Sequence, residues 1–259
     1  GALEKYEIKG HVNGFGVAAG VLRPAIVASS THSVDTASPG FRGVNAEFEF
    51  NQLAGSARVS IANGALEFPG MFDEPGIPIS QLVTDIKWQV QGDRIAVQLP
   101  NLKFRNADAQ GEARVKWETS DPAKSNARAR FPGVLDLQGT LSRGDGTRVY
   151  RYLPTVIPQD ARHYVRDAVV AGAASGVKFR VKGDLYDMPY ATPKQGEFRI
   201  SANIQNARLV YVPRSLQAPE ELPWPALGQL SGELVIDGLQ LAVKKGRGRM
   251  GATSGVQFG

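Results

Sequence analysis

Strict two-residue alternation of apolar and polar side chains, repeated along most of the chain, limits the fold more than any other feature of the sequence. In AEFEF, Phe48 and Phe50 alternate with Glu47 and Glu49; in ARVSI, Val59 and Ile61 alternate with Arg58 and Ser60. DIKWQV sets Ile86, Trp88 and Val90 against Lys87 and Gln89, RIAVQL repeats this with Ile95, Val97 and Leu99, and EARVKW with Val115 and Trp117. VKFRVK, EFRISANI, ARLVY, ELVI and LQLAV continue it through Val177, Phe179 and Val181, Phe198 and Ile200, Leu209, Leu234 and Ile236, then Leu239, Leu241 and Val243. Successive side chains of a strand point to opposite faces, so each run is a strand with one dry and one wet face. A parallel sheet covered on both faces would read instead as continuous apolar runs with helices between them. The expected fold is mostly β: a curved, twisted antiparallel sheet.

One segment departs from this pattern. In RYLPTVIPQDARHYVRDAVVAG (151–172), Pro158 suits a first helical position, Asp160 the first turn and Gly172 the stop, which predicts one amphipathic helix near residues 158–171. Ala161, Tyr164 or Val165, Ala168 and Val169 recur at three- and four-residue spacing, while Gln159, Arg162, His163, Arg166 and Asp167 fall elsewhere. Tyr164, Val165 and Ala168 are therefore expected to pack the helix against the sheet, with His163 facing water. The stretches on either side resemble each other. GALEF, IPISQL and RIAV recur in order as NARLVY, LPWPAL and LQLAV, at separations of 143, 145 and 146 positions (66 to 209, 77 to 222, 95 to 241). The division expected is a first β repeat at 1–150, a connecting helix at 151–175 and a second, partial repeat at 176–259.

Little in the chain offers chemistry. His163 and Asp167, four apart, could pair as a base and its orienting carboxylate, yet no GxSxG elbow and no cysteine supplies a nucleophile. His11, His32 and His163 are isolated, and HExxH, CxxC and acidic calcium loops are absent from the sequence, so no metal or cofactor is expected. The net charge of +5 is spread along the strands, and the basic run KKGRGRMGATSG lacks aromatics for base stacking. It reads as a hairpin turn or frayed end, and no nucleic-acid partner is expected. Trp224, between Pro223 and Pro225, reads as a loop anchor. No stretch approaches the roughly 18 to 20 apolar residues of a membrane span. The abrupt ends give the chain the look of a piece of something longer.

A family resemblance rests on ordered stretches across nearly the whole chain: PGFRGVNAEFEF (39–50), LEFPGMFDEPGIPISQL (66–82), the Trp88 strand, GVLDLQGTLSR (133–143), YRYLPTVIP (150–158), KGDLYDMPY (182–190), GEFRISANIQNARLVY (196–211) and WPALGQLSGELVIDG (224–238). Together they resemble the YhdP family of large AsmA-like envelope proteins. The resemblance implies a non-enzymatic periplasmic segment of an inner-membrane-anchored protein in a Gram-negative bacterium. It also implies a repeating β-groove, or half-pipe, that shields phospholipid acyl chains between inner and outer membrane and supports the outer-membrane permeability barrier. Membranes would be met through parts of the full-length protein outside this chain. The groove candidates are Phe48, Phe50, Val59, Ile61, Trp88, Val90, Ile95, Val97, Val115, Trp117, Phe198, Ile200, Leu234 and Ile236. A one-sided sheet must cover its dry face, at roughly 25 cal/mol per Å² of apolar area, and one short helix cannot cover ten or more strands. Either the sheet curls on itself or something apolar lies in it. The alternative is a structural or scaffold β-module binding envelope protein partners.

Overall fold

A computed structural model describes residues 5–21, 37–188, 190–238, 240–250 and 256–258. Its strands are β1 (Glu7–Val17), β2 (Gly20–Val21), β3 (Ala37–Ser38), β4 (Gly40–Asn51), β5 (Ala54–Glu67), β6 (Gly76–Gln91), β7 (Arg94–Arg105), β8 (Ala109–Glu118), β9 (Val134–Asp145), β10 (Val169–Asp184), β11 (Gly196–Leu209), β12 (Leu227–Asp237), β13 (Gln240–Met250) and β14 (Val256–Phe258). Apart from the small β2–β3 pair, all lie in one twelve-stranded sheet in chain order, every neighbour antiparallel. The strands expected from the alternation are found, and the sheet is open, not closed on itself. Leu239 and His32 lie outside the described residues.

The one α-helix among the described residues, α1, spans Gln159–Ala168, shorter than the 158–171 expected. Val169–Gly172 belong to β10: Val169 takes an extended conformation and pairs with Leu209, and the β-branched pair Val169–Val170 favours the ladder. The first part of the basic run differs from expectation, and its remainder, 251–255, lies outside the described residues. Lys244–Met250 are ladder residues of β13, neither turn nor frayed end. β9 and β10 pair directly from Asp145↔Ala173 to Val134↔Asp184. Residues 146–168 therefore leave the sheet and re-enter it between adjacent strands.

The internal similarity has a backbone counterpart. Asn63 in β5 and Asn206 in β11 both adopt left-handed conformations, φ 58° and 53°, which asparagine tolerates better than most residues. They stand 143 positions apart, in IANGALEF and IQNARLVY. Register shifts interrupt the pairing of β4, β7, β10, β11, β12 and β13, and bulges of this kind bend strands and increase twist.

The densest core lies on one face near the 68–75 loop: Val44, Ile61, Ile79 and Leu82, flanked by Phe41, Val59, Leu66, Leu102 and Phe104. Elsewhere burial is modest. The accessible surface is 17018 Å², whereas a compact monomer of this mass exposes about 11,000 Å², in keeping with a single open layer.

Candidate functional site

Cross-strand partners share a face, so the register can be followed across the sheet. Phe50 pairs with Gly55, Gly55 with Trp88, Trp88 with Val97, and Val97 with Trp117. Phe48 and Val59 join this row through Ala57 and Ala46, and Val90 through Ile95. From Val115 the path runs through Leu137, Val181 and Phe198, and through Phe179 to Ile200 and Ile236, with Leu234 opposite Ala202. All fourteen groove candidates thus lie on one face. Ile61 is buried and the others are half-buried, while Glu47, Glu49, Arg58, Lys87, Gln98, Arg114, Lys116 and Arg199 on the opposite face are exposed.

Leu135, Leu137 and Leu141 of β9 lie on the same apolar face. Their alternation with Asp136 and Gln138 in GVLDLQGTL is a strand signal that the sequence reading above misses.

Several rings on this face lie across glycines, most from the neighbouring strand and one, Tyr190, from the loop before β11. A Cβ on Gly10 would come within 2.9 Å of Phe48 Cζ, one on Gly139 within 2.5 Å of Phe179 Cζ, and one on Gly196 within 2.7 Å of Tyr190 Cδ1. Gly55 is covered in the same way by Trp88. Flattened rings over glycine cover apolar backbone while leaving the space above the sheet clear. Trp117 stacks on Phe131 at 6.0 Å and donates its indole N–H to Pro132 O at 2.9 Å, closing the turn end of β8. Tyr190 is buried over Gly183 and Gly196, with a hydroxyl that has no partner among the described residues. Burial pushes its phenol up to about 12.

The helix is bonded to loops at the ends of strands, Asp73 between β5 and β6 and Tyr211 and Ser215 after β11, which places it at the rim of the sheet. Arg162, assigned to the solvent side by the periodicity, is buried. Its guanidinium grips Asp73 with two bonds of 2.9 and 2.7 Å and donates to Thr155 O and Ile157 O. That hydrogen bonding holds the Asp73 carboxyl below its usual value. Beside it, Arg151 joins Glu74 and Asp108, each at 2.8 Å, and Tyr152 donates to Asp108 at 3.0 Å. Burial, foremost, raises the Tyr152 phenol to about 12. Ala168 is fully buried and Val165 half-buried, but Tyr164 is 37% exposed, its hydroxyl donating to Tyr211 O at 3.1 Å. Tyr164 therefore anchors a loop, and His163 is half-buried, not fully solvated. Asp167 accepts from Arg166 and from the Ser215 hydroxyl, both at 2.7 Å. Those bonds lower its pKa, the arginine contributing most, and occupy the carboxylate that would have oriented His163.

Among the described residues no three His, Cys, Asp or Glu side chains come together as a metal site. The hollows described lie over the polar face, the largest about 640 Å³ and lined by Lys103, Arg114, Lys178, Arg180 and Arg199 among others. They form between long charged side chains.

Comparison with known families decides the relationship: the model of the YhdP protein family matches residues 4–257. The chain belongs to the YhdP family. No curated protein and no solved structure matches it. YhdP proteins are bacterial envelope proteins with a lipid-related role. No helix among the described residues of this YhdP chain is long and apolar enough to cross a membrane.

Proposed function

We propose that this chain is a non-catalytic segment of a lipid conduit in the periplasm of a Gram-negative bacterium. Its apolar face carries phospholipid acyl chains between inner and outer membrane, supporting the permeability barrier. One observation carries the reading: an apolar face runs across a twelve-stranded sheet, most of its side chains only half-buried, and the one α-helix among the described residues is spent on the loops at the strand ends. At about 4.8 Å per strand, that face extends roughly 50 Å. Acyl chains lying along it would remove apolar area from water at about 25 cal/mol per Å² without requiring hydrogen-bond partners. The rings over Gly10, Gly55 and Gly139 lie on glycine backbone of this face, which keeps their height above the sheet low.

The inner-membrane anchor belongs to the full-length protein, and 1–150 and 176–259 act as successive groove repeats joined through 151–175. Native mass spectrometry and lipid extraction of the purified chain are expected to yield bound phospholipid. A lipid-free protein, with no uptake of added phospholipid, overturns the reading. Phe50→Asp or Ile200→Asp places a charge on the apolar face and is expected to abolish that uptake, and to block transport in the full-length protein at unchanged expression.

A further inference from the structure

The polar face handles its charges unevenly. Over β5–β10 matched and unmatched cations are interspersed: Arg58 pairs with Asp85 at 3.2 Å, Arg94 with Glu118 at 2.5 Å and Arg180 with Asp136 at 2.5 Å, while Lys87, Lys103, Arg114 and Lys116 are exposed and form no ion pair among the described residues. At the corner formed by the ends of β11, β12 and β13 three arginines gather with no carboxylate among them. Arg249 stands opposite Gly228, and Arg247 opposite Ser231. Arg208 lies on β11 between residues paired with Leu230 and Leu227, beside the bulge at Gly228–Gln229. All three arginines are exposed, and none has a carboxylate at ion-pair distance among the described residues. Lys244 is the next cation on this face; it faces Glu233 across the ladder without an ion pair.

Strand spacing and rise put these three guanidinium stems within about 10 Å of one another. Like charges gathered on one face repel one another, weakly where they are exposed, and an anion joining them would reverse the sign of that interaction. The floor between them is small. A Cβ on Gly228 would meet nothing within 4 Å, and Ser231 Oγ accepts from Asn206 N at 3.4 Å, which leaves its hydroxyl hydrogen free to donate outward. Planar guanidinium forks around an open, small-residue floor match the shape and charge of a phosphate group.

We propose that this corner is an oxyanion seat for a phosphate group, with Arg208, Arg247 and Arg249 as donors and the Ser231 hydroxyl completing the set. The phosphate comes from a lipid headgroup or from a free phosphate. The seat lies on the face opposite the conduit surface and does not depend on that reading.

The test titrates the intact chain with inorganic phosphate, following backbone amide shifts, and separately measures flotation with vesicles of equimolar neutral and anionic phospholipid. Shifts confined to residues 228–231 and 247–249 support the seat and identify free phosphate as a source; salt-sensitive flotation identifies a headgroup. In either arm R247Q/R249Q is expected to weaken binding at least about tenfold, with unchanged thermal unfolding and unchanged lipid co-purification. K87Q/K116Q, on the polar face of the other half, should leave binding intact. Absence of binding in both arms overturns the proposal, as does equal weakening by the two double variants, which would mark diffuse charge. Retention of a single-stranded oligonucleotide with no binding of phosphate or vesicles overturns it in favour of a nucleic-acid surface.

Discussion

The four strands β4–β7 and the four strands β10–β13 follow the same plan and end differently. β5 and β11 are both fourteen residues long, and each carries isoleucine, left-handed asparagine and leucine at matching positions: Ile61, Asn63 and Leu66 against Ile204, Asn206 and Leu209. In the first group the following loop is held down by the buried Arg162, by Arg151 on Glu74 and by the Thr155 hydroxyl on Gly70 O at 2.6 Å. Beneath it Ile61 is 2% exposed. In the second group the corresponding loop is longer and held by the Tyr164 and Ser215 hydroxyls. Leu222 there is 87% exposed, and Ile204 is only half-buried. Strand pattern thus sets the layer, and the segment that leaves the sheet at 146–168 decides which end of it is sealed.

The largest test of this difference is Ile61→Ala against Ile204→Ala in chemical denaturation. Ile61→Ala is expected to cost about 2–5 kcal/mol and Ile204→Ala less than half of that; equal losses would break the comparison. Exchanging the residue after each asparagine sharpens it. Gly64→Ala would drive a Cβ to 2.5 Å from Ile61 Cγ2 and against Arg42 O, at a cost of about 1–3 kcal/mol. Ala207→Gly is expected to cost no more than about 1 kcal/mol.

Acid should act on the sealed end. The Asp73 carboxyl, lowered chiefly by the hydrogen bonds from Arg162, contributes stability present above its unfolded pKa of about 3.9 and lost as pH falls through its lower folded value. Melting temperature followed from about pH 5 to pH 2 should therefore drop further for the wild type than for Asp73→Asn. Parallel curves would remove Asp73 from the account. The smallest effect is expected from Leu222→Ser, within about 0.5 kcal/mol in either direction.

Alternation made the sheet legible because a strand's period belongs to its own residues, and the register then gathers side chains from many strands onto one face. What stayed hidden depends on distant neighbours. Arg162 reads as a solvent-facing residue until Asp73, 89 positions away, is folded against it. The helix stops at Ala168 because Val169 finds Leu209 across the ladder. The glycines beneath Phe48, Trp88 and Phe179 became meaningful only once cross-strand partners were known. Lys244–Met250 fall in a strand and not a turn, because ladder cations and turn cations look alike in one dimension.

The chain-order topology has a consequence for size. Because every strand of the large sheet lies beside its nearest sheet neighbour in sequence, adding or removing one hairpin changes the width by about 10 Å and leaves the cross-section untouched. The sheet behaves as a ruler graduated in strands. Its reach can be lengthened or shortened by whole hairpins without redesigning the surface that the remaining strands present.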